Sequence, residues 1–257
     1  MQHTMLVAFT ALAVTGAVQA STIVTQWNFN GPLGARNAPS PSIGVGSATP
    51  VGMNGGNNNA DILIAGGTPT SSDASVSNQA WRVRGSTTNG WSGTVSLLSG
   101  ARFNVPTINA DNIVVSMDIN ATDGSPRHAQ FQYTLDGTSF TSFGGLLDFN
   151  ASNDRWRNGI SFNLSSIVGA ANNANFGFRV VSAFSPDAFT NLNGLQAANT
   201  AFQRADAGTN VYTGAAGNYR FDMVTVVPAP GAAALLGFGG LVAMRRRRCK
   251  GLTQRAR

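Results

Sequence analysis

Cysteine, histidine, glutamate and lysine are nearly missing from this chain, and each absence removes a class of function. The single cysteine is Cys249, close to the C-terminus, so the remainder carries neither a disulfide nor a thiolate metal cage. No glutamate occurs, all eleven acidic residues being aspartate, which excludes a His-Glu-x-x-His zinc helix. The two histidines are His3 and His128. One body histidine without cysteine excludes the usual zinc cages, and Ser-His-Asp or Cys-His catalysis would rest on His128 alone. That residue follows the turn-like Asp123-Gly124-Ser125-Pro126-Arg127, where a surface or strand-end role accounts for it. No Gly-x-Ser-x-Gly nucleophile elbow occurs either.

Positive charge is scarce over most of the chain, whatever the total implies. Seventeen Lys and Arg against eleven acids give +6, a balance that ordinarily points to nucleic acid or an anionic membrane. Seven of the cations, Arg245, Arg246, Arg247, Arg248, Lys250, Arg255 and Arg257, lie in the tail. From Ser21 to Val227 ten arginines against eleven aspartates leave −1, to which the +7 of the tail is added to reach +6. Nucleic acid is therefore not an expected partner of the body.

What the body does hold is Asn, Ser, Thr and Gly punctuating short apolar alternations, a balance that disfavours helix and favours strands joined by polar turns. Ile23, Thr25, Trp27 and Phe29 share one parity and predict a first strand. Gly31 to Ala60 has no periodicity and reads as long loops, followed by strands over Asp61–Ala65, Ala80–Arg84, Val95–Leu98 and Arg102–Val105. Asn112–Ile119 alternates apolar residues, and Ala129–Leu135 does so strictly, with Phe131, Tyr133 and Leu135 expected inward and Gln130, Gln132 and Thr134 outward. Asp136-Gly137 then supplies a tight hairpin to Ser139–Phe143. Gly159–Leu164, Asn175–Phe184 and Asn218–Val226 continue the pattern, with a turn near Leu164–Val168 and a short helix near Leu195–Phe202. About 200 residues of this kind predict one all-β domain, an antiparallel β-sandwich of jelly-roll type over 21–226.

Both ends are apolar labels. Met5–Val18 followed by Val18-Gln19-Ala20 before Ser21 reads as a signal peptide over 1–20, cut between Ala20 and Ser21 by signal peptidase, although its start lacks Lys and Arg. At the other end Val227-Pro228-Ala229-Pro230-Gly231 leads into an uninterrupted apolar run to Met244, then Arg245 to Arg248 (together 227–248), with a basic tail over 249–257. A helix of about 14 residues reaches roughly 21 Å, short of the roughly 30 Å hydrocarbon core, so it suits a transient transmembrane helix better than a permanent anchor. The arginines would hold its end on the cytoplasmic side.

Motif, apolar helix and arginine cluster in this order resemble the PEP-CTERM sorting signal of secreted proteins of Gram-negative bacteria, with Ala229 standing where that family has glutamate. The resemblance implies an exosortase as partner, passage through the inner membrane, and a destination at the cell surface or in the exopolysaccharide matrix. Trp27-Asn28-Phe29-Asn30, Phe131-Gln132-Tyr133, Asn175 to Val181 and Tyr219 to Val224 are also similar to a group of such proteins. The last of these strands resembles the closing strand of jelly-roll carbohydrate-binding modules, which implies a structural calcium ion at Asp222.

The expected activity is non-catalytic binding of carbohydrate or matrix, with no other cofactor. Trp81 beside Arg82, Trp91, and Trp156 beside Arg157 are the candidates to stack on a sugar ring. Two rival readings stand beside it. An Asp-dependent glycoside hydrolase needs two carboxylates about 5 to 10 Å apart, drawn from residues such as Asp118, Asp148, Asp154 and Asp222. A purely structural surface protein needs no ligand.

Overall fold

Period-two alternation of bulky and polar residues is realised as strands almost throughout. The computed structural model describes residues 22–32, 34–35, 37–53, 60–64, 70–84, 91, 93–150, 155–206, 208–214 and 217–228. Over these residues the strands run β1 (Thr25–Trp27), β2 (Gly34–Ala35), β3 (Ile43–Gly44), β4 (Ser47–Val51), β5 (Ala60–Ile64), β6 (Gln79–Arg84), β7 (Gly100–Asn104) and β8 (Ile113–Ala121). They continue as β9 (His128–Thr134), β10 (Thr141–Ser142), β11 (Leu147–Asp148), β12 (Trp156–Asn163), β13 (Gly177–Ala183), β14 (Phe189–Asn191), β15 (Gly194–Gln196) and β16 (Asn218–Pro228). No helix among the described residues is long and apolar enough to cross a membrane.

The first sheet runs β12-β8-β16-β6-β5-β2, with β1 joined to β16 and β3, and the second runs β10-β9-β13-β7-β4, with β11 also on β9. Every pairing is antiparallel, and the partners are nested: β6 with β16, β7 with β13, β8 with β12, β9 with β10 and β11. A long hairpin rolled into two layers gives this nesting, which is the strand order of a jelly roll. The two sheets face one another through aromatic rings. Phe103 of β7 meets Trp27 at 5.2 Å, Trp81 at 5.7 Å and Phe221 at 5.9 Å, all three from the first sheet. Phe131 of β9 stacks on Phe162 of β12 at 3.8 Å.

The closing strand β16 is the spine of the first sheet. Along one side it pairs with β8; along the other, Asn218–Phe221 pair with β6 and Val224–Val226 with β1. The change of partner falls at a bulge between Asp222 and Thr225, where Met223 takes a left-handed φ of 47°. One extra residue there keeps Tyr219 and Phe221 on one side of the bulge, and Val224 and Val226 on the other, all in the core.

Three expectations are corrected. Val95–Leu98 is a turn, with Leu97 at φ 61°, and not a strand. Leu195 lies in the β14–β15 hairpin rather than in a helix. The region 31–60 read as loops contains β4, which pairs along the whole of β7; its Ser-Ala-Thr-Pro-Val sequence has one deeply buried residue, Ala48, and so shows no alternation of bulk. Residues 1–21 and 229–257, and with them the expected signal peptide and the expected apolar helix, lie outside the described residues.

Candidate functional site

The indoles expected to meet a sugar are all inside. Trp81 is 0% exposed, stacked on Phe29 at 5.9 Å. Trp91 is 1% exposed, 4.6 Å from the Tyr219 ring, its Nε1 donating to the Gly217 carbonyl at 3.2 Å. Trp156 is 4% exposed and packs with Ala80. For Trp81 the reason is strand geometry: in Ala80-Trp81-Arg82-Val83-Arg84 the bulky residues Trp81 and Val83 take the inner face and the arginines the outer one. Arg157 is exposed and donates to the Asn150 carbonyl at 3.4 Å.

Asp222 also differs from what its resemblance implies. It lies directly across from Asp118 on β8, and both are buried. The segment over them supplies donors: Ser71 donates its hydroxyl to Asp222, whose other oxygen accepts the Met223 N–H at 2.7 Å. Asp118 accepts the Ser72 N–H and hydroxyl, each at 2.6 Å, and the Gly159 N–H at 2.7 Å. Burial pushes the Asp222 carboxyl up to about 7, against the pull of those donors. Carboxylates already filled by donors do not offer the free oxygens a calcium ion takes, and no cluster of three or more ligand side chains occurs among the described residues. The pair therefore does not fit a calcium cage. Nor does it stand open to a substrate, as the carboxylates of a glycoside hydrolase must.

The other named residues are placed as follows. Val227 and Pro228 end β16, opposite Val114 and Ile113; Ala229, Pro230, Gly231, Arg245 to Arg248, Ala20, Ser21 and Asp154 lie outside the described residues. His128 begins β9 and is buried, its Nε2 3.8 Å from Asp148 Oδ1. Burial lowers its pKa. Arg127 closes over the same aspartate with contacts of 2.6 and 2.8 Å.

A polar surface does form, on the outer face of the second sheet. Thr49 of β4, Arg102 of β7, Arg179 of β13, Gln132 of β9 and Ser142 of β10 stand in one cross-strand row. Arg179 Nε donates to Gln132 Oε1 at 2.7 Å, and Gln132 Nε2 to the Ser142 hydroxyl at 3.1 Å. Arg102 donates to Asn104 Oδ1 at 2.8 Å and to the Gly137 carbonyl at 2.6 Å. The Phe140 ring, carried by the hairpin that follows Asp136-Gly137, lies 4.1 Å from the Arg179 guanidinium and 5.2 Å from that of Arg102. Gln132, expected outward, does lie on this face but is only 4% exposed, its amide held between Arg179 and Ser142.

Elsewhere a cleft of about 460 Å³ is lined by residues including Asn28, Phe29, Asn30, Pro39, Pro41 and Ser42. Two of its polar side chains are already engaged: Asn30 donates to Asp73 and accepts from Gln79, and Ser42 donates to the Gln26 carbonyl while accepting the Asn28 N–H. The row on the second sheet keeps more free donors, since the terminal nitrogens of Arg179 have no hydrogen-bond partner among the described residues.

No family model matches the chain, and no curated protein is found to be similar to it. Among solved structures it is similar to the CBM22-1 xylan-binding domain of Paenibacillus barcinonensis Xyn10C, at 12% identity and a TM-score of 0.39, over 84% of this chain and 99% of that one. It is likewise similar to the CBM22-1–CBM22-2 tandem domain of the same protein, at 12% identity and a TM-score of 0.38, over 82% of this chain and 46% of that one.

Proposed function

We propose that this chain is an exported, non-catalytic protein of the cell surface or exopolysaccharide matrix that binds carbohydrate through the outer face of its second sheet. In this reading signal peptidase removes 1–20, the apolar C-terminal segment spans the inner membrane transiently, and an exosortase acts at Val227 to Gly231. The observation that supports the binding role is the row Thr49-Arg102-Arg179-Gln132-Ser142, a strip of rigidly held donors and acceptors beside an aromatic ring. Such a strip matches the closely spaced hydroxyls of a sugar chain, which accept and donate at once, and its side chains are already ordered before any ligand arrives. A glycan array probed with the full-length chain in mild detergent tests it. Retention of a defined set of glycans, lost on replacing Gln132 and Arg179 together by alanine, is the expected result; binding to none would leave a structural role.

A further inference from the structure

The charge of that face remains to be matched. Arg102 and Arg179 are register partners on adjacent strands, both half-buried, and each is held by neutral acceptors only: Asn104 and Gly137 for one, Gln132 for the other. No carboxylate lies within ion-pair distance of either among the described residues. Two other arginines of the body are neutralised by aspartate, Arg127 by Asp148 at 2.6 Å and Arg204 by Asp206 at 2.9 Å. Two guanidiniums side by side repel, and both burial and the neighbouring Arg102 lower the pKa of Arg179. The Phe140 ring offsets part of that repulsion through its negative face, yet two positive charges still go without a counter-charge in a partly desolvated place.

Resting on the carbohydrate reading of this face, we propose that its ligand is an acidic polysaccharide, whose sugar carboxylate or sulfate group is taken up by Arg102 and Arg179. A guanidinium offers paired N–H groups spaced for the two oxygens of a carboxylate or sulfate, and the terminal nitrogens of Arg179 are free for this. Thr49, Ser47, Asn104 and Ser142 flank the arginines with neutral polar groups. They suit the hydroxyls of a sugar, whereas the net −1 of the body opposes a long, uniformly charged polyanion such as nucleic acid.

The test compares polymers that differ only in charge. The full-length chain in detergent, with Arg245 to Arg248, Lys250, Arg255 and Arg257 replaced by glutamine so that the tail cations do not themselves hold polyanions, is titrated with polygalacturonate and with its fully methyl-esterified form, then with dextran sulfate and with dextran. Binding to at least one charged polymer, weaker by about tenfold or more for its neutral counterpart and falling as salt rises from about 50 to about 500 mM, is expected. Arg102→Gln and Arg179→Gln should each weaken it by about tenfold with an unchanged melting temperature, and Arg179→Lys should restore only part, because a point charge replaces the fork. The carboxylate and sulfate arms tell which anion is recognised. Equal binding of charged and neutral polymers would overturn the acidic assignment while leaving the carbohydrate reading intact. Failure to bind any glycan would sink both, and single-stranded DNA binding as tightly as polygalacturonate would replace the sugar by a generic polyanion.

Discussion

Asp222 and Asp118 face each other across β16 and β8, and the chain spends the hydroxyls of Ser71 and Ser72 on keeping them apart from water. An unfolded aspartate titrates near 3.8, whereas folded Asp222 is raised to about 7. Between those values the folded protein holds a proton that the unfolded chain has released, so stability is greatest below about pH 4 for this group and is lost as pH rises through about 7. The shift corresponds to roughly 4 kcal/mol at most. Asp222→Asn is expected to flatten the fall in unfolding free energy between pH 5 and pH 8, read by urea denaturation; an unchanged slope would show that another group carries it.

His128 works in the opposite sense. Its folded pKa is lowered by burial, so its contribution is present above the ordinary histidine value of about 6.5 and is lost as pH falls below it. In the Asp222→Asn background, stability should therefore rise from pH 5 to pH 7, and His128→Gln should abolish the rise. NMR titration of the imidazole checks the cause directly.

Phe103 is the ring on which the two layers meet, touching Trp27, Trp81, Phe178 and Phe221. Phe103→Ala is expected to cost about 3–5 kcal/mol. Calorimetry should find a melting temperature lower by about 6–20 °C, by the usual scaling of about 2–4 °C per kcal/mol, whereas a loss below about 1 kcal/mol would mean that the sheets close without it.

Gly217 leads into β16 at φ +77°, and a Cβ there would sit 2.0 Å from the Ser125 nitrogen. Gly217→Ala combines a left-handed conformation with a backbone clash, and a loss of at least about 2 kcal/mol is expected. The carbonyl of Gly217 also accepts from Trp91, so Trp91 fluorescence should shift in the same variant.

The ladder limits the proposed processing at the C-terminus. β16 stays paired as far as Pro228, opposite Ile113, so a cut that preserves the sheet falls after Pro228. Intact mass of the exported protein is expected to end between Ala229 and Gly231 and to begin at Ser21. A mass that retains the arginine cluster would mean that the tail stays as an anchor.

The strands carrying a recurrent buried face were legible in the sequence because such a face imposes period two over most of their length: β6, β8, β9, β13 and β16 fall where Trp81, Val115, Phe131, Phe178 and Phe221 recur. β4 was not legible, because Ser47–Val51 draws its strand character from the whole length of β7 beside it. The tryptophans misled for a related reason. An arginine beside an indole marks two opposite faces of a strand, so the pairing Trp81-Arg82 buries the ring. The better signal was the arginine itself: Arg102 lies between Ala101 and Phe103, and Arg179 between Phe178 and Val180, all four of them buried.

By itself the sequence determined the class of the fold, since side-chain alternation and turn chemistry are local properties that few residues specify, and it excluded the chemistries that need cysteine, glutamate or several histidines. Which strands became neighbours was decided only by the tertiary structure. Arg102 and Arg179 are far apart along the chain and meet because β13 returns to pair with β7, Asp118 meets Asp222 because β16 closes against β8, and Phe140 reaches both arginines because a hairpin tip folds onto the sheet. Long-range pairing follows from burying both inner faces together, a condition on the whole chain that no short stretch of it expresses.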